Sequence, residues 1–169
     1  MTLHDFAVSL IKPVPYIIDV GPGIQPQGFF KPLVHLCIEP HEEYAAWLID
    51  HHFPVIGADL LRVCHLFPPG SVDTIFFMDV IEHMPRPDGE ICIDWAIKAA
   101  RKQVVVFAPL SFHEQSYAPG AKDAWGMDGT YWQTHRSAWD PNDFPLFTSC
   151  VDTDFHGPGK GAFYAILTK

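Results

Sequence analysis

Four acids stand at intervals of about twenty residues in the first half of the sequence: Asp19, Glu39, Asp59 and Asp79. Each follows a run of apolar residues that reads as a buried strand. Carboxylates gathered at strand ends accept hydrogen bonds from hydroxyl groups, and together they favour a cationic ligand. The loop Asp19-Val20-Gly21-Pro22-Gly23-Ile24-Gln25-Pro26 adds two glycines, Gly21 and Gly23. Residues without a Cβ let a backbone approach a ligand closely. An acid at the end of the second strand, about 20 residues after the loop begins, can accept from both hydroxyls of a ribose. Glu39 is that acid, so the ligand reads as a nucleoside.

Two nucleoside cofactors compete. A dinucleotide needs Gly-x-Gly-x-x-Gly, whose third glycine lets the next helix pack and hold a pyrophosphate. Here Pro26 occupies the third glycine position, and Gly28 and Pro32 follow, so that helix is expected to be short or absent. S-adenosylmethionine has no phosphate and carries a sulfonium cation, which suits the acids and does not need the helix.

Asp79, Glu82 and His83 have i, i+3, i+4 spacing, which puts all three on one helical face. Such a set can bind a divalent ion. The plainer reading, that Glu82 pairs structurally and His83 packs beside the cofactor, is preferred, and no metal is expected. His135, in Gln133-Thr134-His135-Arg136-Ser137, falls where an acceptor should sit and could serve as a general base. His83 is the second base candidate. His113 follows the fifth strand. His51-His52 reads as a solvated helix end.

These residues need a scaffold. Tyr16–Val20, Leu33–Ile38, Val55–Ala58, Val72–Met78 and Val104–Ala108 read as strands with largely continuous apolar character, as in a parallel sheet. Helices are expected from Pro40 to about His51 and from Asp88 to Lys102, with a helical turn from Asp79 to Met84. Residues 1–15 form a lead-in. Residues 109–139 are irregular and aromatic, and Asp140-Pro141 starts a short turn. Ser149–Phe155 and Ala162–Leu167 read as an antiparallel pair. Strands alternating with helices mean an α/β fold with a mainly parallel sheet.

At 169 residues and 19.0 kDa, the chain reads as one domain over residues 1–169. Its 48% hydrophobic content excludes disorder, and a net charge of -9 argues against a nucleic-acid partner. No apolar run approaches a membrane span, and Asp5 before Lys12 reverses the order of a signal peptide. Cys37, Cys64, Cys92 and Cys150 form no CxxC pair and read as reduced thiols of a cytoplasmic protein.

The chain resembles the class I S-adenosylmethionine-dependent methyltransferases. The resemblance rests on IIDVGPG (17–23), IEP (38–40), GADL (57–60), SVDTIFFMDVIEHM (71–84), VVVFAPL (104–110) and HRSAWDPNDF (135–144). It implies a doubly wound, Rossmann-like, three-layer αβα fold. The strand order would be 3-2-1-4-5-7-6 with an antiparallel last strand. It also implies that Gly21, Pro22 and Gly23 line the methionine part of the cofactor and that Asp19 supports its amino group. Glu39 would bind the ribose, Asp59 the adenine amino group, and Leu60 and Asp79 the flank. The implied function is methyl transfer to a small-molecule or glycan-like acceptor. The lead-in is too short for the helical cap many relatives carry. Closure is therefore expected from residues 109–139 or from a second subunit, as in a homodimer. A non-catalytic binding module, a nicotinamide-dependent oxidoreductase and a metal-assisted enzyme using Asp79, Glu82 and His83 are the alternatives.

Overall fold

A computed structural model describes residues 1–128 and 131–169. Its seven strands are β1 (Tyr16–Val20), β2 (Val34–Ile38), β3 (Val55–Ile56), β4 (Val72–Met78), β5 (Ala100–Pro109), β6 (Thr148–Asp152) and β7 (Ala162–Thr168). They form one sheet in the order β3-β2-β1-β4-β5-β7-β6. The first five strands pair in parallel, and β7 lies antiparallel between β5 and β6. The helices are α1 (Leu3–Leu10), α2 (Glu42–Asp50), α3 (Leu60–Val63) and α4 (Arg86–Ala99). The α/β class, strand order and antiparallel last strand agree with expectation.

The period of two along each strand builds two cores. Ile18, Val20, Ile75, Phe77, Val104 and Val106 face one side, where Leu60 of α3 and Cys92, Ile93 and Ala96 of α4 cover them. Ile17, Phe76, Val105 and Phe107 face the other, against Leu3, Phe6 and Ala7 of α1. Phe29 and Phe30 extend this second cover, packing near Phe76. They come from the β1–β2 connection, which contains no helix. Its Gln27 N–H instead donates to the buried Asp19 Oδ2 at 2.7 Å.

Several boundaries differ from expectation, among them β5, which spans Ala100–Pro109, and β6, which ends at Asp152 and not Phe155. The lead-in contains α1, whose Thr2 and Asp5 exchange side-chain and backbone bonds in a capping box. α4 ends at Ala99, not Lys102, because Ala100 already pairs with Val72 of β4. Arg101 and Lys102 are therefore strand residues, and both reach the buried Asp73 carboxylate, at 3.0 and 3.7 Å. The third strand shrinks to Val55–Ile56, and the four-residue α3 follows it, capped by Asp59. All four cysteines are free thiols, with Cys37 and Cys92 buried. Among the described residues, no helix is long and apolar enough to cross a membrane.

Trp139 wedges against α4. A Cβ on Gly89 would lie 2.5 Å from Trp139 Cζ2, so only glycine fits there. Arg86 covers the other side of the indole, 3.9 Å from its centroid, and holds Asp143 through two bonds of 2.6 and 3.1 Å. Gly89→Ala gains helix propensity of about 1 kcal/mol but overpacks at a cost of about 1–3 kcal/mol. We expect the melting temperature to fall by about 2–4 °C for each net kcal/mol lost, read by circular dichroism. An unchanged or raised value would contradict this packing.

Candidate functional site

The strand order reverses between β1 and β4, so the connections leaving their carboxyl ends diverge and open a crevice. Gly21 turns the chain there with φ +56°, a conformation disfavoured for other residues. A Cβ on Gly21 would meet both methyls of Val80 at 3.2 Å. Gly23 also has φ +56°, and its N–H donates to Glu39 Oε2 at 3.0 Å. The Glu39 carboxylate thus ties the loop after β1 to the end of β2. Its Oε1 accepts from His41 N–H at 2.9 Å.

Two cavities open on this crevice. The smaller is lined by Glu39, Asp59, Leu60, Tyr44 and Val20, among others. The larger, about 860 Å³, is lined by Pro22, Gly23, Glu82 and His135, together with Gln27, Gln115, His113 and Tyr117. Gly21, Asp79, His83 and Gln133 line both, so the cavities meet there. Asp19 lines neither. Its Oδ2 accepts from Gln27 N–H and pairs with His35 Nε2 at 3.0 Å, while Oδ1 has no partner. Of the acids at strand ends, Glu39, Asp59 and Asp79 face the crevice, and Asp19 braces the loop from behind.

Burial governs the charges. It pushes Glu39 up to about 7, against the two backbone N–H donors that favour its carboxylate form. Asp79, at φ +53°, keeps an exposed surface, while Glu82 is pushed well above its ordinary value by burial and by the adjoining Asp79. His83 is pushed down to about 4 by burial first and His135 second. Burial lowers His135 as well. Both imidazoles are neutral at neutral pH.

Asp79, Glu82 and His83 do not share a helical face. The turn they begin is a 3-10 turn, Ile81–His83. A second segment completes it from more than fifty residues away. Arg136 and Ser137 donate their backbone N–H groups to the Glu82 carbonyl, at 2.7 and 3.1 Å. Arg136 Nη1 donates to the His83 carbonyl at 2.7 Å, and Ser137 Oγ to that of Ile81 at 3.1 Å. These bonds bring the His135 ring edge-on to His83, with centroids 4.8 Å apart. His113 is drawn in through its carbonyl, which accepts from His135 Nδ1 at 2.7 Å.

The same segment forms a strap over the crevice. Asp123 accepts from the buried Tyr44 hydroxyl, and Asp128 N–H donates to Glu43 Oε2 at 3.1 Å. His41 bonds the Asp128 carbonyl. Tyr131 and Trp132 line the smaller cavity and Trp125 the larger. Tyr44, His41, Gln133 and Arg136 were not anticipated from the sequence. The helix start at Pro40-His41-Glu42-Glu43 offered one signal, since a histidine can cap a helix in place of serine or aspartate. His51 and His52 lie at the exposed end of α2, away from both cavities.

No protein-family profile matches the chain, and no curated protein sequence matches it. Solved structures do. The PH0226 protein of Pyrococcus horikoshii superposes with a TM-score of 0.64 at 11% identity, over 99% of this chain and 87% of its own. A SAM-dependent methyltransferase from Archaeoglobus fulgidus gives 0.60 at 9% identity, over 93% and 86%. The magnesium protoporphyrin IX methyltransferase of Synechocystis PCC 6803, with bound SAM, gives 0.53 at 11% identity, over 98% and 74%. At these identities the likeness is one of architecture, and it agrees strand for strand with the observed sheet: the chain has the fold of the S-adenosylmethionine-dependent methyltransferases.

Proposed function

We propose that the protein is an enzyme that transfers a methyl group from S-adenosylmethionine to a small-molecule or glycan-like acceptor. The observation that carries this reading is the junction of two cavities at Gly21, Asp79, His83 and Gln133. One cavity has the groups a nucleoside needs. The other is large, and its histidines, amides and aromatics suit a polar, hydroxyl-bearing acceptor.

The residues fit the cofactor. Glu39 is 3% exposed, and each of its oxygens keeps a lone pair beyond the backbone N–H it already accepts. Those lone pairs can receive ribose hydroxyls. Leu60 and Ile38 supply apolar cover for a base. Asp59 and Asp79 add negative charge along the path to the junction, which suits a sulfonium. When bound, S-adenosylmethionine supplies a methyl group on a positively charged sulfur. The chain's part is to hold the acceptor's nucleophile in line with that group, and such positioning is worth up to about 7–11 kcal/mol. The neutral imidazoles of His83 and His135 can receive the acceptor's proton or hold the group that does. Trp125, Tyr131 and Trp132 line the two cavities and would help to close them over a bound acceptor.

Two titrations test the reading. At pH 8, S-adenosylhomocysteine should bind one-to-one in the micromolar range or tighter, about -8 kcal/mol at 1 μM. NAD should not bind. Glu39→Gln removes charged hydrogen bonds worth about 1.5–3 kcal/mol and should weaken binding about 10- to 100-fold. No binding of S-adenosylhomocysteine, or equal binding by the variant, would contradict the assignment.

The second titration follows pH. The carboxylate form of Glu39 is the better acceptor, so binding at low pH must expel its proton. With that group pushed up to about 7, affinity should fall about tenfold from pH 8 to pH 6. Glu39→Gln should flatten that slope. The sign for stability is opposite. The raised carboxyl stabilises the free protein below its ordinary value of 4.5, and that contribution is lost as pH rises through about 7.

A further inference from the structure

We propose that Glu82, His83 and His135 form a binding site for a divalent first-row metal ion in the wall of the larger cavity. The three side chains each offer one ligand atom, and these atoms lie within 4.8 Å of one another. All three line the cavity. Ligands around a small metal ion at about 2.1 Å sit roughly 3–4 Å apart, so the set must contract by about 1 Å to hold one.

The electrostatics of the cluster require a cation or a proton. Glu82 is 3% exposed, and both its carboxylate oxygens lack a hydrogen-bond donor. Asp79 is close enough to share a proton with Glu82 when the site holds no cation, and His83 Nε2 stands 3.9 Å from Glu82 Oε1. The two imidazoles are oriented by backbone carbonyls, which only accept. His83 Nδ1 points to the Thr134 carbonyl at 3.4 Å and His135 Nδ1 to that of His113 at 2.7 Å. Each Nδ1 therefore carries the proton, and each Nε2 is left with a lone pair. A carbonyl behind a ring nitrogen is the usual outer support of a metal-binding histidine. One ligand atom from each imidazole and from the Glu82 carboxylate thus lies within reach of a single ion.

Two imidazoles and one carboxylate select Mn²⁺, Fe²⁺, Co²⁺ or Zn²⁺ over Mg²⁺ and Ca²⁺, which favour all-oxygen shells. Three protein ligands leave coordination positions open to the cavity. An acceptor hydroxyl or carboxylate oxygen there would be held and acidified by the ion, which would replace the two imidazoles as the activating group whenever it is bound. This use of the site rests on the methyl-transfer reading, but the existence of the site does not.

The test uses the full chain after chelator treatment. Mn²⁺ binding is followed by electron paramagnetic resonance, and Co²⁺ by its visible bands. One equivalent of each should bind. Glu82→Gln and His135→Phe should each weaken Mn²⁺ binding at least about tenfold, while Glu42→Gln, an exposed acid, should not. Circular dichroism melts confirm that each variant is folded, and one folded variant of the pair suffices. No stoichiometric ion, or affinity unchanged in a folded variant, overturns the proposal. A parallel S-adenosylhomocysteine titration of the same wild-type sample keeps the two readings apart. Metal binding without nucleoside binding would sink the methyl-transfer reading alone, and the converse would sink only the metal site.

Discussion

The arrangement depends on a small set of backbone hydrogen bonds between two distant segments. Arg136 and Ser137 donate to the carbonyl of Glu82, and the Arg136 side chain donates to that of His83. The recipients belong to a 3-10 turn, whose carbonyls are not all used within the turn. Supplying those carbonyls with donors fixes where residues 135–137 cross the crevice. Trp139 then anchors the segment's end, donating from its indole to Ser137 Oγ and the Ile81 carbonyl while its ring fills the gap above Gly89. Without these contacts His135 has no reason to face His83, and neither cavity has its strap-side wall.

The second constraint is the sheet itself. Parallel pairing of β1 with both β2 and β4 forces the loops after β1 and β4 apart. The usual helix after β1 is replaced by an extended stretch pinned to Asp19, with Phe29 and Phe30 standing in for its apolar face. The loop can dispense with a helix dipole if its ligand is a cation, because there is no pyrophosphate to bind. The same logic explains why Glu39, Asp59 and Asp79 can stand together at this end of the sheet. They line the crevice, whereas Asp73, buried toward the opposite end of β4, is paired with Arg101 and Lys102.

Much of this was legible in the residues. Continuous apolar runs ending in acids gave the strand positions and the carboxyl-end crevice, because both faces of a parallel sheet must be covered. The substitution of Pro26 for a third glycine correctly removed the first helix. Other features were legible only in part. The capping box of α1, Thr2 with Asp5, is a sequence signal, but the prolines that follow at 13 and 15 drew attention to a lead-in instead. Arg101-Lys102 looked like the basic end of a helix, and only pairing with β4 makes them strand residues. Nothing in the spacing of Asp19 tells which way its carboxyl turns. The meeting of His83 with His135 is a tertiary fact, set by backbone and side-chain donors of Arg136 and Ser137 more than fifty residues away. The Asp79, Glu82 and His83 spacing drew attention to metal chemistry, yet the third member of the close cluster is His135 and not Asp79.

The central claim is that a nucleoside cofactor lies between Glu39 and Leu60 with its reactive end at the junction of the two cavities. A crystal structure of the protein grown with S-adenosylhomocysteine tests it most directly. The account predicts ribose hydroxyls on the Glu39 carboxylate, the base against Leu60, and the sulfur beside Gly21, Asp79, His83 and Gln133. Density for the nucleoside elsewhere on the sheet, or with its sulfur turned away from the larger cavity, would contradict it.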